Sequence, residues 1–269
     1  MKKTFDDKIR ERLRHRERRQ DIERRMRKKR SEEMQVFEEV FDKTTLMTIY
    51  SLMNKGYIQD IFGVLRSGKE SRLYWGRGSG NIDIAIKIYL TTSSEFKQGM
   101  QKYIGADPRF KRIDRSTKSL IYLWARKEFD NLKDAQESGV NVPKRIAIDK
   151  NILIMEFIGE NGKPAPLLRE ANLKNPQKTF DQLIKNITKL YRQARLVHGD
   201  LSEYNIMIWK NKVVIFDLSQ AVRLEHPMAK NFLKRDLSNI INYFENTGIQ
   251  IPEPDELYRQ VVGENADYT

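Results

Sequence analysis

Hydrophobic residues recur along the chain at two spacings, and the change from one to the other divides it. Leu46, Ile49, Tyr50 and Met53 fall at helical intervals and Asn54-Lys55-Gly56 supplies a stop, which predicts a short helix ahead of the main domain. The run Ile61–Leu65, a Ser-Gly-Lys-Glu turn, Leu73-Tyr74-Trp75 and the alternating Ile82–Tyr89 then predict an antiparallel meander of at least three strands. Residues 91–115 are polar and broken by Gly99, Gly105 and Pro108, so a long, mobile insertion is expected near there. Leu120, Leu123, Trp124, Lys127, Leu132 and Ala135 predict a helix from about Thr117 to Ser138, ended by Gly139. Asn151–Ile158 predicts the last strand of the sheet, and a Gly/Pro-rich connection through Pro166 predicts the exit into another lobe.

Beyond that point the period is mainly helical. Asn175 is placed to cap a helix with Pro176 at its first position, and Phe180, Leu183, Ile187, Leu190, Tyr191 and Ala194 form a stripe ending near Val197. A second helix is predicted over 229–246 through Phe232, Leu233, Leu237, Ile240, Ile241 and Phe244. Between them lie a loop, the apolar segment Asn205–Trp209 and the run Lys212–Asp217, with no internal repeat.

Composition narrows the chemistry. At 269 residues with 39% hydrophobic positions, the chain can fill one large domain or two modest lobes. Without cysteine it has no disulfide framework, thiolate zinc site or cysteine nucleophile, and three scattered histidines leave little for a histidine-built metal site. A metal here would be held by oxygens, as magnesium is. The N-terminus lacks the apolar core of a signal peptide and no stretch approaches the ~18 apolar residues of a membrane span, so a cytoplasmic protein with no membrane partner is expected.

The charge of +13 is unevenly spread: residues 1–30 carry 15 Lys+Arg against 6 Asp+Glu, a net of +9, leaving +4 for the rest. Phe5, Ile9, Leu13, Ile22 and Met26 are too sparse to bury a core, so this segment reads as a basic arm. Its mixed Glu/Arg spacing suits a solvated helix with i,i+4 pairs; equally, its lysines and arginines would gain affinity by displacing counterions from phosphates. Any such binding is expected to be salt-sensitive and weakly sequence-specific.

Three positions after the first C-terminal helix carry the chemistry: Asp200 and Asn205 in His198-Gly-Asp-Leu-Ser-Glu-Tyr-Asn205, and Asp217 closing Val-Val-Ile-Phe. A loop aspartate can accept the proton of an attacking hydroxyl, and an asparagine with an aspartate supplies the hard oxygens magnesium wants. Singly, each suits a turn, a cap or a strand end. Together, downstream of a sheet containing Ala85-Ile86-Lys87, they form the arrangement of a phosphoryl-transfer site. Lys87 lies in a strand that looks buried and so needs an anionic partner; Glu128 is the candidate, with Arg126, Lys127 and Asp130 as neighbours competing for the role. Gly63–Lys69 matches the first seven positions of a P-loop, but Glu70 replaces the magnesium-binding hydroxyl and strand follows where a helix is needed, so the turn is better read as a lid over nucleotide phosphates.

Several stretches resemble, in order, motifs of the RIO family of atypical serine/threonine protein kinases: Ser-Gly-Lys-Glu-Ser-Arg-Leu-Tyr (67–74), Ala-Ile-Lys-Ile-Tyr (85–89), Met-Glu-Phe-Ile-Gly (155–159), Val-His-Gly-Asp-Leu-Ser-Glu-Tyr-Asn (197–205), Ile-Phe-Asp-Leu-Ser-Gln-Ala-Val (215–222) and His-Pro-Met-Ala-Lys-Asn-Phe-Leu-Lys-Arg-Asp (226–236). The resemblance covers about 44–250 and favours the first RIO subfamily. It implies an α+β, bilobal kinase-like fold, with a basic arm over 1–43, an antiparallel-sheet N-lobe over 44–158 and a reduced, mostly helical C-lobe over 159–269. It further implies Asp200 as catalytic base, Asn205 and Asp217 as metal ligands, and Lys87 with Glu128 as the phosphate-positioning pair. Met155–Ile158 would be the hinge, with backbone at Glu156 and Ile158 meeting adenine, and Ser67 and Lys69 would lie over the phosphates. Asp217 has a second implied role, as acceptor of phosphate in a cycle of ATP hydrolysis.

Asp217-Leu-Ser replaces the Asp-Phe-Gly of ordinary kinases and 52 residues follow Asp217, too few for the usual activation segment and peptide-docking helices. The resemblance thus implies an ATP- and Mg2+-dependent kinase or ATPase, with Mn2+ as alternative ion and the chain itself as a candidate protein substrate. It would act in maturation of the small ribosomal subunit and contact ribosomal RNA through the arm. The competing readings are a small-molecule phosphotransferase of the same fold and a non-catalytic RNA-binding scaffold that keeps a nucleotide pocket.

Overall fold

The structure, a computed structural model, describes residues 40–91, 100, 103–104, 107 and 116–263. Most of the expected basic arm and of the expected insertion near 91–115 lies outside these residues. The chain divides into two compact units, Met1–Met47 and Thr48–Thr269; of the first, only 40–47 are described, and they hold the opening of helix α1 (Lys43–Asn54). That helix ends as its sequence predicts: Gly56, at φ 79°, lets Tyr57 N–H reach Leu52 O and its own N–H reach Met53 O.

Five strands form the first sheet: β1 (Asp60–Ser67), β2 (Ser71–Arg77), β3 (Asp83–Tyr89), β4 (Arg145–Asp149) and β5 (Ile152–Glu156). They are antiparallel throughout, in the spatial order β1-β2-β3-β5-β4. The meander is as expected, and β5 is, as expected, the last strand of the sheet in chain order before the linker; in space it is internal, with the unanticipated β4 at the edge. Strand β3 was expected to alternate, yet Ile84 through Tyr89 are all buried, Lys87 included. Helix α2 (Thr117–Glu137) covers one face: its Ile121, Trp124 and Ala125 cluster with Tyr89, while Leu132 and Ala135 join Ala85, Leu153 and Met155. Ser116 caps the start of α2, and Gly139, at φ 67°, closes its end with Val140 N–H to Ala135 O.

After the short hairpin of β6 (Gly159–Glu160) and β7 (Lys163–Pro164), helix α3 (Pro176–Arg192) opens the helical half. Asn175 caps it by accepting Lys178 N–H at 2.9 Å, with Pro176 at the first position. The helix stops at Arg192, short of the expected Val197. Arg195 takes a left-handed φ of 57°, and Leu196–Val197 (β8) pairs instead with Val222–Arg223 (β11). Strands β9 (Ile206–Trp209) and β10 (Lys212–Ile215) form the hairpin that separates Asn205 from Asp217. Helix α4 (Ala229–Glu245) matches its expected span. Helix α5 (Pro254–Val262), which carries only two fully buried apolar anchors, Leu257 and Val261, completes the core against α3 and α4. Burying such side chains stabilises the fold by ~1.5–3 kcal/mol each.

Candidate active site

Lys87 stands at the meeting point of the two halves. Its ammonium lies 3.0 Å from the Glu128 carboxylate and 2.7 Å from Asp217 Oδ1. Burial alone would lower the Lys87 pKa, but the charges of Asp217 and Glu128 outweigh it and raise the value above the usual lysine range. Burial likewise pushes the Asp217 carboxyl up; Lys87, with a hydrogen bond from Ser219 Oγ at 2.8 Å, overrides it and brings the carboxyl down to about 2. Glu128 is fully buried on the inner face of α2, and burial raises its pKa despite Lys87.

The partner expected for Lys87 is thus the one found, and its competitors are engaged elsewhere. Arg126 pairs with Asp130 on the outer face of α2. Lys127 donates to Ser219 O and Ala221 O, and Asn131 to Leu218 O and Ala221 O, which fastens the segment after Asp217 to α2. Sequence reasoning missed Tyr89, two residues along β3, whose hydroxyl donates to Glu128 Oε2. This bond fixes the carboxylate that holds Lys87. Tyr89→Phe is expected to raise the KM for nucleotide several-fold with a smaller change in kcat, measured by steady-state kinetics; an unchanged KM would assign Tyr89 to packing alone.

The Asp200 loop is held from below by α4. The buried Asp236 carboxylate accepts Gly199 N–H at 2.8 Å and Leu201 N–H at 2.9 Å, Arg235 donates to Gly199 O, and Asn239 donates to Leu201 O at 2.9 Å. Gly199 sits at φ 78°, and a Cβ there would lie 3.1 Å from Gln220 O, so both conformation and space call for glycine. His198 Nε2 lies 3.0 Å from Phe216 O, tying the loop to the residue before Asp217. Asn205 Nδ2 donates to Asp200 O at 2.8 Å, and Phe216 N–H donates to Asn205 O. Asp200, Asn205 and Asp217 are therefore brought together by the loop and the β9–β10 hairpin. Asp217 takes a left-handed φ of 60°, a conformation aspartate tolerates better than most residues. Partial desolvation in the cleft, with Asp217 nearby, raises the Asp200 pKa against the opposing influence of His198.

Two cavities adjoin this cluster. One of about 450 Å³ is lined by Leu65, Leu73, Ala85 and the Met155–Ile158 segment, an apolar slot suited to a flat base. The Glu156 N–H is committed to Lys144 O and the Ile158 carbonyl to Ala165 N–H, whereas the Ile158 N–H donates to no partner among the described residues. The second cavity, of about 190 Å³, is lined by Gly68, Lys69, Glu70, Lys87, Glu128 and Asp217. Lys69 is thus on its wall, while Ser67, at the end of β1 opposite Arg72, lines neither cavity. Glu70, read from the sequence only as the residue that breaks the P-loop pattern, lines the second cavity; burial and then Asp217 raise its carboxyl pKa. For an oxygen-seeking ion the donors fit: among the described residues Asp217 Oδ2 and Asn205 Oδ1 accept no hydrogen bond, since the partners of these side chains fall on Oδ1 and Nδ2.

Residues 71–257 match the RIO domain. The RIO-type serine/threonine-protein kinase Rio1 of Haloferax volcanii is 40% identical over 243 residues, 90% of this chain and 83% of the relative. Its counterpart in Methanocaldococcus jannaschii is 39% identical over 236 residues, 88% and 80% of the two chains. In fold, the chain is similar to the Rio2 kinase of Chaetomium thermophilum, with a TM-score of 0.63 at 23% identity over 81% of this chain and 67% of that one. The ADP/Mg2+-phosphoaspartate complex of that kinase gives 0.62 at 22% identity, over 82% and 67%. The structural likeness establishes the bilobal kinase-like α+β fold. With the domain match spanning both lobes and relatives near 40% identity along almost the whole chain, this phosphotransferase belongs to the RIO family of atypical serine/threonine protein kinases, on its Rio1 branch.

Proposed function

We propose that the chain binds ATP with Mg2+ in this cleft, transfers the γ-phosphoryl group to itself or to water, and acts in maturation of the small ribosomal subunit. The observation that carries the catalytic part is the Lys87 ammonium held by Glu128 on one side and reaching Asp217 on the other. Lys87 would orient the α- and β-phosphates, Lys69 would cover them, and the Met155–Ile158 hinge would seat the adenine, with the Ile158 N–H as donor. Asn205 and Asp217 would hold Mg2+, or Mn2+, which shares the preference for oxygen. The ion supplies charge neutralisation on the phosphates.

Asp200 would take the proton of a serine or threonine hydroxyl as its oxygen attacks phosphorus and the bond to ADP breaks. Asp217 offers a second acceptor: its carboxylate oxygen attacks the γ-phosphorus, ADP leaves, and water later releases phosphate from the acyl phosphate. The phosphoaspartate in the similar Rio2 complex supports this reading. The expected division into a basic arm over 1–43, an N-lobe over 44–158 and a C-lobe over 159–269 is retained in the proposal. The +9 of residues 1–30 would meet ribosomal RNA, in the cytoplasm; no described helix is long and apolar enough to cross a membrane.

A time course with γ-labelled ATP and Mg2+, following free phosphate and protein-bound label, tests the chemistry. Hydroxylamine-labile label that disappears in Asp217→Asn is expected. Acid-stable label alone would make a hydroxyl-directed kinase the working activity, and ATP binding with neither label nor phosphate would favour the scaffold reading.

A further inference from the structure

Away from the cleft, Lys178, Lys185 and Lys189 on α3, Lys210 in the β9–β10 turn and Lys212 at the start of β10 surround a concave pocket of about 470 Å³. Intervals of seven and four place the three helical lysines on one face, over ~16 Å of helix axis. The remaining walls are carboxamides, and no carboxylate lines the pocket. Among the described residues none of the five lysines forms an ion pair. Asp181, the one acid of α3, is engaged by Gln177 at 3.0 Å.

The two lysine-bearing elements are fixed to each other. Gln182 donates from Nε2 to Asn211 O and accepts Val213 N–H on Oε1, so one side chain clamps the turn to the helix. Asn186 accepts Asn141 N–H at 2.8 Å and donates to Gln182 O, and Lys189 reaches Gly139 O, locking the adjoining loop. Neighbouring cations on this surface repel one another, and no carboxylate in the pocket offsets them; Lys189 is shared with Gly139 O and Lys210 lies over the Trp209 ring.

We propose that this pocket is a docking surface for the phosphate backbone of a nucleic acid. Lysines are point charges suited to a repeating anion, and a helical stripe of ~16 Å is long enough to meet successive phosphates of one strand. A phosphopeptide site would call for the bidentate fork of arginine, which the pocket lacks. A membrane surface would call for apolar side chains beside the lysines, but the apolar residues of α3 (Phe180, Leu183, Ile184, Ile187 and Leu190) are buried in the core. The exposed Asn141 and Asn211 carboxamides can donate to phosphate and sugar oxygens, which position a strand without reading its sequence. The surface stands on these residues and does not rest on the ribosomal reading.

The test measures binding of the full-length protein to a labelled single strand of about 20 nucleotides, as RNA and as DNA, by fluorescence anisotropy across a salt series. The variant Lys178→Gln/Lys185→Gln/Lys212→Gln changes exposed lysines whose ammonium groups hold no part of the fold, unlike that of Lys189. It should bind about tenfold or more weakly, with a log–log salt slope shallower by about 2, since each phosphate contact on a single strand adds about 0.7. A control with Lys55→Gln, Lys118→Gln and Lys133→Gln removes equal charge from the other lobe and should bind like wild type; Lys→Arg at the three test positions should restore affinity. RNA preferred over DNA would identify the source of the backbone as RNA. Equal binding by the test and control variants, or loss of binding only to anionic phospholipid vesicles, would overturn the proposal. Retained ATP turnover in the test variant shows that the fold and the cleft chemistry are intact, so failure of this surface and failure of the phosphoryl-transfer reading are separately visible.

Discussion

Asp200→Asn lowers phosphoryl transfer by about 10²–10⁴-fold and leaves ATP affinity close to wild type, the range expected when a positioned base is lost. Asparagine has the shape of aspartate but cannot take the hydroxyl proton in the transition state. The loop should survive the change, because Asn205 donates to the backbone carbonyl of residue 200 and not to its side chain alone, and Asp236 holds Gly199 and Leu201 independently. The Lys87 ion pairs are untouched, so the ground-state complex keeps its phosphate contacts. Single-turnover rates with labelled ATP, beside equilibrium binding of a fluorescent nucleotide, separate the two quantities. Equal losses in both would mean that Asp200 holds the nucleotide and is not the base.

Asp236→Ala is expected to cost about 3 kcal/mol or more of stability and most of the turnover, although the residue lies beneath the cleft. The substitution strands two backbone N–H groups that Asp236 now satisfies, at about 1–3 kcal/mol each, and leaves Arg235 beside them without its carboxylate neighbour. Its pH signature is distinctive. Burial raises the Asp236 pKa to about 6, against an ordinary value of 3.8. Between those values the folded chain keeps a proton that the unfolded chain has released, so this group's contribution to stability falls as pH rises from about 4 to about 6, and is level above that. Asp236→Asn, which cannot titrate, should flatten that part of the urea-midpoint profile relative to wild type. A variant whose profile runs parallel to wild type would deny the raised pKa.

The parts of the fold carried by strong periodicity or by glycine are legible in the sequence. The meander, both ends of α2 and the Asn175–Pro176 start of α3 follow from residues whose conformational preferences agree with their surroundings. Strand β4 was hidden because Arg145-Ile-Ala-Ile-Asp149 offers only one fully buried position and charged ends, a pattern that gains meaning only beside β5. The end of α3 was overrun because Leu196 and Val197, apolar for their place in β8, happen to continue the helical stripe. Helix α5 shows too few anchors to announce itself.

In the site, Asp200, Asn205 and Asp217 were readable from spacing, and the reach from Lys87 to Glu128 was readable because a charge on a strand that looks buried needs an opposite partner. The same logic would have found Asp236, an acid in phase with Phe232, Leu233, Leu237 and Ile240 on the buried face of α4. What no one-dimensional pattern carried was the division of backbone bonds at the hinge, because Lys144 and Ala165 reach Glu156 and Ile158 only once the sheet and linker have folded.

The linker between the lobes carries a consequence for the speed of the catalytic cycle. Gly162, at φ 76° in the turn between β6 and β7, sits so close beneath Trp75 of β2 that a Cβ there would come within 2.6–2.8 Å of the indole ring. Trp75 is itself anchored, its indole N–H donating to Asp83 at 2.9 Å. The tip of the linker is thereby latched to the N-lobe sheet, and swinging the lobes apart about the hinge would have to break that contact. In the proposed cycle spent nucleotide would then leave past the Ser67–Ser71 turn, which is closed by Gly68 N–H to Ser71 O and tied to the end of β3 by Leu90 N–H to Glu70 O. Under the proposed ATP chemistry the Gly162–Trp75 contact would act as a brake on product release, and a chain in which it is loosened would turn over faster wherever ADP exit limits the cycle.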